Sequence, residues 1–196
     1  MKHKIAQYIS IIFHPIVFAL LGPFLVIYHS TDNILYSLKW VGFSFFFIIC
    51  TILVLLLFKP DDFLHDFDIS KKEKRPLFYA ISLFFAVIYF SIAVYVKGIF
   101  FPLSLVALGI VIGIVLFDIA NIFLKVSIHA AVAWAFIISL GLLYGITVFL
   151  AVIWIPFAII WSRLFLKKHT KAEVFGGSAI GSMITLITFA IAKLLL

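Results

Sequence analysis

Charge is what this chain has least of. Only 12% of its 196 residues are Asp, Glu, Lys or Arg, against 66% hydrophobic ones, where an average soluble domain is about half apolar and about one quarter charged. Water is therefore not the main solvent for the fold. Cysteine occurs once, as Cys50 inside an apolar run, which excludes an internal disulfide and a cysteine metal site. Internal repeats, low-complexity linkers and any polar stretch long enough for a separate soluble domain are all missing. No small-residue cleavage pattern follows Met1-Lys2-His3-Lys4, and the text from Ile5 to Thr31 is uncharged, so the N-terminus reads as a retained first helix rather than a signal peptide. Acids are the scarcer charge, 8 against 15 Lys and Arg, for a formal net charge of +7. Nucleic acid is not the expected partner, because the basic residues sit in short loops between apolar runs, where they meet lipid headgroups or anionic substrates.

What the chain does have is long apolar runs. A bilayer-spanning helix needs roughly 20 mostly apolar residues, since the hydrocarbon is about 30 Å thick and each residue rises about 1.5 Å. Tyr8 to Tyr28, Leu35 to Phe58, Leu77 to Val96 and Ile99 to Leu124 each meet that ruler and predict helices one to four. Val126 to Phe165 is mostly apolar for about 60 Å as one helix, twice what a bilayer accepts, so it must fold back. The expected corner is Tyr144-Gly145-Ile146-Thr147, where glycine and a β-branched pair weaken the helix. Val174 to Leu196 makes the last helix. The expectation is an all-α polytopic transmembrane bundle of about six or seven helices, with residues 1–196 forming a single membrane-embedded domain.

Polar text interrupts these runs at Lys59 to Pro76, at Lys125 to His129 and at Ser162 to Glu173. Two helices separate the first from the second, and two more separate the second from the third. An even number of crossings returns the chain to its starting side, so all three segments face one membrane surface and can converge on one site.

The third segment runs from Ser162-Arg163 through five residues to His169, and through three more to Glu173, with Gly176 and Gly177 beginning the last helix. On a helix, His169 and Glu173 share a face at a four-residue spacing, so the carboxylate can hold the imidazole. This pattern resembles the third signature of the type-2 phosphatidic acid phosphatase superfamily, with Glu173 where that family usually has Asp. The resemblance implies that His169 attacks phosphorus and forms a phosphohistidine, and that Arg163 binds phosphate oxygens as a fork.

Lys125-Val126-Ser127-Ile128-His129 resembles the family's second signature, Pro-Ser-Gly-His, keeping Ser127 and His129. A helix start there would offer free backbone N–H groups and positive dipole potential to a phosphate. The resemblance makes His129 the group that protonates the leaving oxygen. Val126 and Ile128 replace the family's proline and glycine. Lys71-Lys72-Glu73-Lys74-Arg75-Pro76 resembles the first signature, in which a lysine precedes Arg-Pro by six residues. Arg75 and Pro76 match; Asp68 occupies the lysine position, so its role falls to Lys71, Lys72 or Lys125. The implied activity is metal-independent hydrolysis of a phosphorylated or pyrophosphorylated lipid, with no cofactor, in a site between helices three, five and seven.

Two other readings stay open. Substitutions at Asp68, Ile128 and Glu173 are what a degenerate member would carry, one that binds or transports a lipid phosphate without hydrolysing it. The acidic stretch Asp61-Asp62-Phe63-Leu64-His65-Asp66-Phe67-Asp68 resembles part of the aspartate-rich loop of UbiA-type membrane prenyltransferases, which hold magnesium on a prenyl pyrophosphate. That family's second aspartate-rich motif has no counterpart, since Asp118 is the only later Asp.

Asp118, Asn121 and Lys125 fall at helical spacings of three and four and are expected to share a face towards the site, with Asp118 orienting Lys125 or Arg75. His14, before Pro15, reads as packing and lipid contact. Lys2, Lys4, Lys59 and the lysines of both large loops lie on the site side, against Lys39, Lys97 and Lys193 opposite, and the positive-inside tendency then puts the site in the cytoplasm.

Overall fold

The computed structural model describes residues 1–58 and 75–195, which are helices and the connections between them, with no strand among the described residues. The acidic stretch Asp61 to Asp68, Lys71 and Lys72 lie outside the described residues. Among the described residues nine helical segments follow in order: α1 (Lys2–Ile12), α2 (Pro15–Thr31), α3 (Ile34–Phe58), α4 (Arg75–Lys97), α5 (Pro102–Phe123), α6 (Ile128–Tyr144), α7 (Ile146–Val152), α8 (Trp154–Phe165) and α9 (Lys171–Leu195). Taken as rods, α1 with α2 and α7 with α8 each make one span. Among the described residues six rods are then long and apolar enough to cross a membrane, and α6 is a shorter apolar helix of 17 residues. The protein is a multi-pass, all-α integral membrane bundle. Its exterior carries large apolar side chains such as Leu38, Leu53, Leu57, Phe84 and Phe123, as a lipid-facing surface requires.

The breaks have local causes. Pro15 has no N–H and disfavours helical backbone in the residue before it. His14 is accordingly extended (φ −68°, ψ 144°), and its Nδ1 caps α2 by accepting the Ile16 N–H at 3.3 Å. The first apolar run is thus two helices joined at Phe13-His14, not one helix. At the other end of α6, Gly145 adopts φ 92°, ψ 172°, a region essentially open to glycine alone. This glycine is the corner at which the long apolar text folds back, and Phe149 of α7 then packs against Gly141.

α6 is the central helix, in contact with α2, α7, α8 and α9. An apolar helix packed on many sides has no need of a polar face. Its alanines Ala130, Ala131 and Ala133 are buried and let neighbours come close. α9 comes closest: a Cβ at Gly177 would run into the backbone carbonyl of Ser127, and one at Gly181 into that of Ala131. Small residues at crossings are how membrane helices gain packing without a hydrophobic driving force between them. Away from the start of α6, Ile27, Trp40, Phe47, Tyr89, Leu103 and Ala107 form an aromatic-rich core, in which Tyr89 and Ser44 share a hydrogen bond of 2.9 Å.

Candidate functional site

The ends of α4, α5, α6, α8 and α9 that carry the polar sequence meet in direct contact. Arg75, the first residue of α4, is 1% exposed and donates from Nη1 to the Val126 carbonyl at 2.9 Å. Val126 belongs to the short connection between α5 and α6, so the guanidinium is held beside the residue that precedes Ser127. A buried cation of this kind is tolerated only with partners, because taking a charge out of water costs several kcal/mol.

Ser127 is fully buried and is the N-cap of α6, its Oγ accepting the Ala130 N–H at 3.5 Å. Its own N–H donates to the Glu173 carbonyl at 3.0 Å. Of the amides at the start of this helix that were expected to bind phosphate, those of Ser127 and Ala130 are used within the protein. Helix α6 begins at Ile128, so Lys125 to Ser127 precede it rather than open it. His129 lies in the first turn and is buried.

His169 sits in the connection between α8 and α9, and Glu173 in the first turn of α9. Their side chains meet, Nδ1 to Oε2 at 3.0 Å. An ionised carboxylate can only accept, so with Glu173 ionised Nδ1 is the donor, and a neutral ring in that arrangement has its lone pair on Nε2. The local backbone supports the pair. Thr170 N–H donates to Glu173 Oε2 at 3.0 Å and Glu173 N–H to Thr170 Oγ1 at 3.3 Å, the reciprocal arrangement of a capping box. Glu173 therefore faces His169 because it also closes the first turn of its own helix.

Arg163, in the last turn of α8, is 4% exposed and donates from Nη1 to Ser10 Oγ at 2.9 Å. The carbonyl of Arg163 accepts the Lys168 N–H at 3.1 Å, which turns the chain towards His169. Lys125 reaches this connection too, its Nζ donating to the Lys168 carbonyl at 3.3 Å. Of the residues expected at the site, Arg75, Lys125, Ser127, His129, Arg163, His169 and Glu173 are thus joined by one run of neighbouring contacts.

Asp118 does not join them. It is exposed on α5, and the helix ends at Phe123, with Leu124 extended (φ −138°, ψ 131°), so the helical register that was to carry Lys125 onto the face of Asp118 stops short. Two residues of the first apolar run join instead. Ser10 accepts from Arg163, and the His14 ring stands perpendicular to that of His129, centroids 5.0 Å apart. The signal for them was the His14-Pro15 pair, which marks a helix break. Among the described residues no group of three or more His, Cys, Asp or Glu side chains is placed to hold a metal ion.

No protein-family model, curated protein or solved structure matches the chain.

Proposed function

We propose that this protein is a membrane-embedded lipid phosphatase that works in the manner of the type-2 phosphatidic acid phosphatases. The observation that carries the reading is the His169–Glu173 pair, joined through Nδ1, in the same run of contacts as two buried arginines, Arg75 and Arg163.

In this reading Arg75, Arg163 and Lys125 neutralise the phosphate oxygens, the main requirement of phosphoryl transfer. The Nε2 lone pair of His169 attacks phosphorus, and the bond from phosphorus to the lipid oxygen breaks. His129 gives its proton to that leaving oxygen. Glu173 stabilises the imidazolium that forms. A water molecule then loses a proton to His129 and attacks the phosphohistidine, the P–N bond breaks, and inorganic phosphate leaves with His169 restored. The substrate class is a phosphorylated or pyrophosphorylated amphiphile, a polyprenyl phosphate or a phosphatidic acid, because the helices that carry the site are apolar spans. By the charge bias of its loops the site lies on the cytoplasmic side.

A second reading has one specific observation in its favour. The Ser127 amide is occupied by the Glu173 carbonyl, and Ile128 stands where the family has glycine, so a lipid phosphate could be bound here without being cleaved.

Phosphate release by purified protein from phosphatidic acid and from polyprenyl mono- and pyrophosphates, with EDTA present, tests the choice. Release that survives EDTA and falls by more than about 10³-fold in His169→Ala is expected. Wild-type protein that binds these lipids but releases no phosphate would establish the binding reading. EDTA-sensitive transfer of a prenyl group would point to the aspartate-rich stretch.

A further inference from the structure

We propose, resting on the phosphatase reading, that the end of α1 and the break that joins it to α2 are a working part of the site, in which Ser10 positions Arg163 and His14 positions His129. Neither residue belongs to the three segments that carry the phosphatase-like pattern.

Ser10 is 8% exposed and its hydroxyl accepts a hydrogen bond from a guanidinium that is itself buried. A hydrogen bond to a charged group at 2.9 Å in such surroundings restricts the plane of the guanidinium fork. The helix that carries Ser10 is pinned next to Arg163 by a second bond, from Ser162 Oγ to the Ala6 carbonyl at 2.7 Å. The arginine is therefore held in part from α1.

His14 acts on the other side of the reaction. Its Nδ1 accepts the Ile16 N–H, which leaves the proton of the neutral ring on Nε2 and stops the ring from turning over. Pro15 fixes the backbone that carries it. The ring so held stands at 90° to that of His129 at a centroid distance of 5.0 Å, within the range where edge-to-face packing is favourable. His129, the leaving-group acid of the proposed reaction, thereby has one face defined by a neighbour that cannot itself rotate.

The two residues act on groups with different duties, so their removal has different kinetic signatures. Arg163 binds phosphate in ground state and transition state alike. Ser10→Ala is expected to raise KM about tenfold with kcat near wild type, and Ser10→Thr, which keeps the hydroxyl, to restore it. His129 moves a proton only in the chemical step. His14→Asn keeps a cap acceptor for Ile16 but has no ring, and is expected to lower kcat about tenfold with KM unchanged. His14→Phe keeps a ring without the cap and is expected to lie nearer wild type. The same loss of kcat and KM from Ser10→Ala and His14→Asn is what a loosened α1 would produce, and it would overturn the proposal, as would wild-type kcat in His14→Asn.

Should wild-type protein release no phosphate, the catalytic reading fails separately, and two measurements still decide this one. Inorganic phosphate binding weakened in Ser10→Ala, and His129 ring signals in NMR spectra of histidine-labelled protein that shift in His14→Asn but not in Ser10→Thr, sustain it. Wild-type protein that binds no phosphate overturns the role of Ser10 along with the phosphatase reading, and unchanged His129 signals overturn the role of His14 alone.

Discussion

Glu173 makes two kinds of contact that a substitution can separate. Its carboxylate accepts from His169 and also from the Thr170 amide that starts α9. Glutamine serves a capping box nearly as well as glutamate, but it cannot stabilise an imidazolium by charge. Glu173→Gln is therefore expected to cost under about 1 kcal/mol in thermal or denaturant unfolding, while phosphate release falls about 100-fold. Full activity in that variant would make Glu173 a helix cap and nothing more. The His169–Glu173 spacing was readable beforehand, because four residues make a helical pair; the capping box of Thr170 and Glu173 came to light only in the structure. The geometry differs from the simplest expectation in one respect. His169 precedes α9 rather than riding on it, and the pair meets because Glu173 folds back over the helix start.

At the scale of the helices, two glycines do different work. Gly145 turns the chain between α6 and α7 with φ 92°, and Gly177 lets α9 lie against the backbone of Ser127. Gly145→Ala places a side chain in a strained backbone region at a cost of about 1–3 kcal/mol, and Gly177→Ala forces two backbones apart at a similar cost, about 1–3 kcal/mol. Both variants are expected to unfold at lower temperature in detergent. Only Gly177→Ala is expected to lose activity below that temperature, because it displaces the contact from the Ser127 amide to the Glu173 carbonyl, whereas Gly145 lies at the far end of α6, about 24 Å of helix from His129. Equal activity losses in the two would mean that the site responds to global loosening. The need for a corner follows from length, since no bilayer accepts a span of 40 mostly apolar residues, and its place at Gly145 follows from the glycine and the β-branched pair after it. The meaning of Gly177 does not, because a glycine at the start of a helix carries no sign of which backbone will approach it.

For the whole molecule, the bundle has two distinct ends. Ala6, Arg75, Val126, Ser162 and Glu173 meet at one of them, and at the other Lys97 lies over the Tyr36 ring at 5.3 Å. With Cys50 replaced by serine, single cysteines at Lys4 and Lys167 are expected to react alike with a membrane-impermeant thiol reagent, and opposite to cysteines at Lys39 and Lys97. On the cytoplasmic placement of the site, intact cells should label only Lys39→Cys and Lys97→Cys. The reverse pattern would keep the fold and move the site to the outer face.

What the sequence determines by itself is whatever depends on one segment and its solvent. Transfer into lipid and the thickness of the hydrocarbon set the number and length of the spans, Gly145 sets where the long apolar text folds back, and crossing parity sets which polar segments share a surface. Tertiary structure alone decided what depends on two segments distant in the chain. Ser10 and Arg163 are separated by 153 residues yet share a hydrogen bond, His14 meets His129, and Asp118, despite its helical spacing from Lys125, stays outside the site. Those outcomes turn on how separate segments sit against one another, as where Gly177 and Gly181 of α9 meet the backbone of Ser127 and Ala131, a fit that no single helix encodes.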